Sequence, residues 1–174
     1  METMNRAKEQ TEKMHTDANG TKKWLRLIPY LLLGMALLAA DQMTKYWAER
    51  VLQGKGMVDV IDGVFSLTYV RNYGAAFGML SGKTWLLLLL TSVILIMGIW
   101  YFCRNRITNP LLLSSGAAVL AGAVGNLIDR FRLSYVIDFL EIRLFQFPVF
   151  NFADCCVVLG MIVVAFCILR GDLN

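Results

Sequence analysis

The sequence has almost no histidine, since the single His15 lies in the polar segment at the start of the chain. A Ser-His or Cys-His nucleophile pair is therefore excluded from the apolar part of the chain. The HExxH zinc motif is excluded for the same reason, and no Gly-rich strand-to-helix loop indicates nucleotide binding. We expect neither a metal ion nor a cofactor.

Cysteine is scarce, and none of the four cysteines lies in a polar loop. All are inside or at the edge of apolar blocks, without CxxC spacing: Cys103, Cys155, Cys156 and Cys167. A disulfide framework and a metal site are both disfavoured by this placement. We expect these cysteines to be small apolar packing residues.

Charge is also scarce, because 17% of the residues are charged and 57% are hydrophobic, whereas soluble domains are about a quarter charged. The apolar residues form four long blocks: Trp24–Ala40, Trp85–Cys103, Leu111–Ile128 and Phe152–Leu169. A membrane span needs about 20 mainly apolar residues. The sequence therefore predicts an all-α polytopic membrane protein with four transmembrane helices. The net charge of +4 carries no nucleic-acid signal.

Residues 1–23 are polar and mixed in charge, without periodicity, which predicts a disordered tail before a membrane domain at residues 24–174. Ala39-Ala40 fits a signal-peptide cleavage site. The length of the tail and the later spans favour a retained helix instead.

The short turn with Arg104 and Arg106 predicts the topology. By the positive-inside rule this turn is cytoplasmic, which puts both termini and the tail in the cytoplasm. The connections Asp41–Thr84 and Asp129–Asn151 then face outward.

The first outward connection has a strand pattern. Val58–Ile61 and Val64–Arg71 are rich in β-formers and flank Asp62-Gly63, a strong hairpin signal. We expect a small extracytoplasmic β-rich insertion at about residues 55–80.

Carboxylates at or beside the outer ends of the spans are the remaining candidates for chemistry: Asp41, Asp129, Asp138, Glu141 and Asp154. A carboxylate at the centre of a membrane helix costs about 2.5–3.5 kcal/mol, so such residues mark functional sites. Simpler roles are open too. Asp41 and Lys45 have the spacing of a helix-surface ion pair, while Asn151 and Asp154 have the positions of a helix cap.

Asp138 and Asp154 have apolar neighbours, whereas Asp129 is followed by Arg130 and Arg132, which suit a structural ion pair. Two carboxyls brought close in apolar surroundings share one proton, as in aspartic proteases. The residues favour Asp138 with Asp154, and Asp129 is the rival partner.

Five segments, in this order, resemble the lipoprotein signal peptidase (signal peptidase II) family: Asp41–Lys45, Arg71–Gly78, Gly122–Arg130, Val136–Phe139 and Phe150–Asp154. Two features depart from that family: Cys155-Cys156 stands where Ser or Ala is usual, and the tail is long.

The resemblance implies a multi-pass enzyme of the bacterial inner membrane, with a small extracytoplasmic β-cradle and an active site near the outer face. It implies an aspartic endopeptidase that removes the signal peptide from prolipoproteins by cutting before a diacylglyceryl-modified cysteine. Asp138 and Asp154 are the implied catalytic pair. The residues implied to bind substrate or brace the site are Asp41, Lys45, Asn72, Gly74, Asn126, Asp129, Arg130 and Asn151. We also expect contact with membrane lipid and binding of cyclic-peptide inhibitors at the active site.

Two other functions fit intramembrane carboxylates. A small proton-coupled transporter or channel subunit uses them as a proton relay, which predicts acids spread through the depth of the bilayer. A structural membrane protein without catalysis makes Asp138 and Asp154 dispensable. The clustering of the acids at the outer ends of the spans disfavours the relay.

Overall fold

The computed structural model describes residues 2–74, 79–104 and 107–172, without the side chains of residues 2–24, 102 and 103. The helices are α1 (Glu2–Leu52), α2 (Thr84–Arg104), α3 (Pro110–Leu133) and α4 (Phe152–Arg170). Each contains a stretch long and apolar enough to cross a membrane: Leu25–Leu52, Thr84–Tyr101, Pro110–Leu133 and Phe152–Arg170. The four predicted spans are confirmed.

Two helices run further than their apolar blocks predict. α1 continues beyond Ala40 to Leu52, and α3 continues through Asp129 to Leu133. Asp41 and Asp129 therefore lie within helices, so the predicted boundaries of the two outer connections were wrong there. Hydropathy ends a block at the first charged residue, but these charges are paired inside the bundle, as shown below.

The start of α1 also differs from the expectation. The structure gives helix from Glu2, where composition predicts a disordered tail over residues 1–23. This segment has many good helix formers, including Glu, Gln, Lys, Ala and Met, and no proline precedes Pro29. The cytoplasmic location of the segment stays a prediction.

A three-stranded antiparallel sheet joins the helices in the order β1 (Val58–Ile61), β2 (Phe65–Asn72), β3 (Val136–Ile142). The predicted β1–β2 hairpin is confirmed. Its turn contains Gly63 with φ +68°, a conformation that glycine adopts without strain, and the Val64 N–H donates to the Ile61 carbonyl over 3.0 Å.

The third strand, β3, was not predicted. It comes from the connection between α3 and α4, and its first four residues, Val136 to Phe139, are all buried. A strand buried on both faces shows no alternation of apolar and polar residues, so its sequence lacks the usual strand period. The pairing of β2 with β3 brings the two outer connections together.

Helix α3 is central, and it packs against α1, α2 and α4. α3 and α4 approach closely, since a Cβ on Gly122 would collide with the Ala153 carbonyl of α4. At the end near the sheet, the Thr84 hydroxyl of α2 donates to the Ser134 carbonyl that follows α3. At the other end, Asn109 donates to the Asp172 carbonyl. The sheet thus lies over the C-terminal ends of α1 and α3.

Candidate active site

Asp138 is a buried carboxylate on β3, with 1% of its surface exposed. Asn72, at the end of the paired strand β2, donates its Nδ2 to Asp138 Oδ2 over 2.8 Å. Asn151 donates its Nδ2 to Asp138 Oδ1 over 2.6 Å. Each carboxyl oxygen therefore accepts a hydrogen bond from a neutral amide, and both retain a free lone pair.

Asp154 lies in the first turn of α4 and is half-buried. Asn126 of α3 donates its Nδ2 to Asp154 Oδ1 over 2.8 Å. The Asn151 N–H donates to Asp154 Oδ2 over 3.1 Å, and the Asp154 N–H donates to Asn151 Oδ1 over 2.9 Å. These reciprocal bonds form a capping box, so the expected helix-capping role of Asn151 is confirmed.

Asn151 therefore connects the two candidate acids. Its side chain is completely buried, and it donates to Asp138 while it accepts from the backbone of Asp154. A residue that only capped α4 would not need the hydrogen bond to Asp138. The start of α4 thus holds Asp154 beside the strand that carries Asp138.

The environment of Asp138 favours its neutral form. Burial away from water, together with the negative charge of Asp154, raises the pKa of Asp138 from 3.8 to about 7. The hydrogen bonds from Asn72 and Asn151 and the charge of Lys45 act in the opposite direction and do not offset the rise. This is the electrostatic pattern of two carboxyls that share a proton.

Behind the two acids lies a buried charge cluster, defined as Asp41, Lys45 and Asp129. Lys45 Nζ is 3.0 Å from Asp41 Oδ2 and 2.9 Å from Asp129 Oδ2, and the three side chains are at most 4% exposed. The surface ion pair considered for Asp41 and Lys45 is therefore wrong, because this pair is buried. Asp129 pairs with Lys45, and not with the adjacent Arg130 that the sequence suggested.

The charge cluster also binds backbone groups of the elements that carry the acids. The Ala153 N–H donates to Asp41 Oδ1 over 3.0 Å, next to Asp154. The Ile137 N–H donates to Asp129 Oδ2 over 3.3 Å, next to Asp138. The cluster thus fixes α1 and α3 against the start of α4 and against β3.

Sequence reasoning missed Gln42. Its Nε2 donates to Asp41 Oδ2 over 3.1 Å and to Asp129 Oδ1 over 3.3 Å, so it links the two carboxylates that Lys45 joins. The available signal was its position beside Asp41 in a helix, where a polar amide in an apolar segment needs a partner.

Arg130 and Gly74 position Asn72. Arg130 Nη2 donates to the Gly74 carbonyl over 3.0 Å, and the Gly74 N–H donates to Asn72 Oδ1 over 2.9 Å. The charge of Arg130 also attracts the carboxylates of Asp138 and Asp154. Residues 75–78, the end of the Arg71–Gly78 segment that resembles the family, lie outside the described residues.

Two other groups of predicted residues lie outside this network. Glu141 accepts a hydrogen bond from the Ser66 hydroxyl over 3.2 Å on the sheet. Cys155 is half-buried, Cys156 and Cys167 are buried, and all three are free thiols. Among the described side chains, those of residues 25–74, 79–101, 104 and 107–172, no three His, Cys, Asp or Glu are placed to hold a metal ion. The expected absence of a metal stays a prediction.

The family model described as signal peptidase (SPase) II matches residues 33–170. The chain belongs to the signal peptidase II family. The curated lipoprotein signal peptidase of Moorella thermoacetica is 43% identical over 142 residues, which cover 80% of this chain and 91% of that protein. The lipoprotein signal peptidase of Clostridium novyi is 41% identical over 133 residues, covering 75% and 90%.

Solved structures agree with this family assignment. A structure titled as a bacterial membrane enzyme, determined by the in meso method at 2.3 Å resolution, has a TM-score of 0.78 and 31% identity. The alignment covers 83% of this chain and 89% of the chain in that structure. This chain is therefore a multi-pass bacterial membrane protein, as its four spans and its family indicate. Membership of the signal peptidase II family also makes it a protease.

Proposed function

We propose that this protein is an intramembrane aspartic endopeptidase that removes the signal peptide from prolipoproteins, cutting before the diacylglyceryl-modified cysteine. The observation that carries the proposal is the contact of one buried side chain, Asn151, with both Asp138 and Asp154. Membership of the signal peptidase II family supplies the substrate class.

The two acids have different roles in this mechanism. Asp154 is half-buried and accepts two hydrogen bonds, which hold its oxygens in place for the role of general base. Asp138 is more deeply buried, and its pKa of about 7 suits a general acid. Asp154 removes a proton from a water molecule that attacks the scissile carbonyl carbon. As the C–N bond breaks, Asp138 gives its proton to the leaving amine of the cysteine.

The distribution of charge disfavours the proton relay. The acidic residues within the four spans are Asp41, Glu49, Asp129 and Asp154, and α2 has none. These acids lie near the end of the bundle that carries the sheet, so no chain of acidic side chains crosses the described spans. A site at one end suits a substrate that is already dissolved in the bilayer by its acyl chains.

The remaining residues of the site have supporting roles in the proposal. Asn72, Gly74 and Arg130 line the side next to the sheet, where substrate would approach Asp138, and we propose that cyclic-peptide inhibitors bind there as well. The proposed location is the bacterial inner membrane, with the active site near the outer face.

Cleavage of a defined substrate tests the function. The full-length protein, purified in detergent, is incubated with a synthetic prolipoprotein peptide that carries diacylglycerol on its cysteine, and mass spectrometry identifies the new ends. We expect a single cut before the modified cysteine. The same peptide with an unmodified cysteine should remain intact. Wild-type protein that leaves the lipidated peptide uncut would contradict the proposal.

The cleavage rate should fall as pH rises above about 7. The general acid must be protonated, and Asp138 loses its proton as pH passes its pKa of about 7. Above that pH we expect kcat/KM to fall by about tenfold per pH unit. A pH–rate profile between pH 5 and 9 checks this, with the unfolding temperature measured at each pH as the control. A rate that is constant up to pH 9 would show that Asp138 is not the general acid.

In the proposed topology the sheet lies outside the cell membrane and the α2–α3 turn lies in the cytoplasm. Lys55 and Thr108 are both exposed and lie at opposite ends of the bundle. In a variant without the four native cysteines, a cysteine at position 55 should react with an impermeant thiol reagent added to intact cells. A cysteine at position 108 should react only after the membrane is opened. The reverse pattern would mean the opposite orientation.

A further inference from the structure

Lys45 determines which way the side-chain amide of Asn126 points. Lys45 Nζ is 2.8 Å from Asn126 Oδ1, in addition to its contacts with Asp41 and Asp129. An ammonium group has three donors and no acceptor, so the Asn126 atom that faces it has to be the oxygen. All three Lys45 donors are then used.

This orientation has a consequence on the other side of the amide. With Oδ1 turned towards Lys45, Nδ2 faces Asp154 and donates to its Oδ1 over 2.8 Å. Asn126 Oδ1 also accepts from Asn151 Nδ2 over 3.2 Å, which leaves Asn151 Oδ1 free to accept the Asp154 N–H. Lys45 thus sets the donor direction of Asn126, while the orientation of Asn151 is fixed separately by Asp138 and by the Asp154 N–H.

We propose that Lys45 is a positioning residue for the cleavage reaction, which acts through Asn126 to keep a hydrogen-bond donor on the carboxylate of Asp154. Lys45 itself contacts neither substrate nor water in this scheme. Without it, only the 3.2 Å hydrogen bond from Asn151 Nδ2 opposes a turn of the Asn126 amide that presents its oxygen to Asp154. An acceptor in that position stabilises the protonated acid, which is inactive as a base.

A direct effect of charge is the competing explanation, because removing a cation also favours protonation of an acid. Asp154 is faced by Asp138 from β3 and by Arg130 and Asn126 from α3, and Cys155 lies beside it on α4. The charge cluster reaches Asp154 only through Asn126. The test therefore has to separate a charge effect from an effect carried by the amide.

The main variant is Lys45→Met combined with Asp129→Asn. In the wild type the charge cluster has two carboxylates and one ammonium, and in the double variant it retains only the carboxylate of Asp41, so its formal charge stays −1. The quantity measured is the pH at which kcat/KM falls to half on the acidic side. We expect this midpoint to rise by about one to two pH units, which corresponds to a lost hydrogen bond to a charged group.

A double-mutant cycle with Asn126→Ala separates the explanations. If Lys45 acts through Asn126, the double variant adds no further shift once Asn126 is replaced. Equal shifts with and without Asn126 would mean that Lys45 acts by its charge, and an unchanged midpoint in the double variant would also overturn the proposal.

Two single variants guard against poor folding of the double variant. Lys45→Arg has only donors, so folded Lys45→Arg should keep the wild-type midpoint, and a shifted midpoint would count against the proposal. Asn126→Ala retains Lys45 and the charge of the site but removes the donor from Asp154, so its midpoint should rise, and an unchanged midpoint would again contradict the proposal. The inference rests on the proposed function, and wild-type cleavage in the same assay shows separately whether that function holds.

Discussion

Asp138→Asn and Asp154→Asn are each expected to abolish cleavage in protein that still folds and inserts. Asparagine preserves the shape of the side chain but neither accepts the proton of water nor gives one to a leaving amine. Loss of general acid–base catalysis costs about 10²–10⁴-fold, and loss of either member of the pair should lie at or beyond the upper end of that range.

The folding cost of these two variants is small. Asp138 accepts one amide donor on each oxygen, so an asparagine in its place leaves either Asn72 or Asn151 without an acceptor unless that amide turns. A buried donor left without an acceptor costs about 1–3 kcal/mol. Proteins of this size are stable by about 5–15 kcal/mol, so most of the protein should remain folded.

Asp129→Asn is the matched control, because it removes a buried carboxylate of the same bundle that we do not place in the chemistry. Lys45 then retains only Asp41 as an ionic partner. Removing one member of a buried ion pair costs about 3–5 kcal/mol, so the yield of folded protein should fall. The molecules that fold should still cleave.

The deciding measurement is turnover per folded molecule, with the folded fraction taken from gel filtration in detergent. Asp138→Asn and Asp154→Asn should be folded and inactive, while Asp129→Asn should be scarce and active. If Asp138→Asn retains substantial turnover and Asp129→Asn is folded and dead, the catalytic pair is Asp129 with Asp154, and the assignment fails.

The sequence was sufficient for the spans and for the β1–β2 hairpin because both are local patterns. An apolar block of about 20 residues and an Asp-Gly between two β-rich runs each carry their own signal. The same holds for the isolation of Asp138 among apolar neighbours, which pointed to an acid without an adjacent base. These features depend on residues that are close together in the chain.

The third strand and the true partner of Asp129 depend on contacts between distant parts of the chain. β3 has no strand period because both of its faces are covered, one of them by Ala48 and Leu52 at the end of α1. Lys45 reaches Asp129 only because α1 packs against α3, and the neighbouring Arg130 instead reaches the Gly74 carbonyl. The sequence suggested Arg130 as the partner of Asp129 because the two residues are adjacent, whereas the packing of the helices makes Lys45 the partner.

The packing of α1 against α3 predicts a second large effect, a loss of stability in the Gly125→Ala variant. A Cβ on Gly125 would collide with Asp41 Oδ2, an atom that accepts from Lys45 and Gln42. The methyl group must therefore displace Asp41 or separate α1 from α3. Overpacking costs about 1–3 kcal/mol, and a broken buried ion pair costs about 3–5 kcal/mol, so most of the stability should be lost.

Gly98→Ala on α2 is the matched control for this variant, since no atom lies within 4 Å of the Cβ it would add. Alanine is favoured over glycine inside a helix by about 0.8–1 kcal/mol, so Gly98→Ala should unfold at or above the wild-type temperature. Thermal unfolding in detergent is followed with a thiol-reactive dye, because Cys156 and Cys167 are buried in the folded protein. Gly125→Ala should unfold at a temperature far below those of the wild type and of Gly98→Ala. If it unfolds at the wild-type temperature, α1 and α3 have room to separate, and the close contact does not hold Asp41 in place.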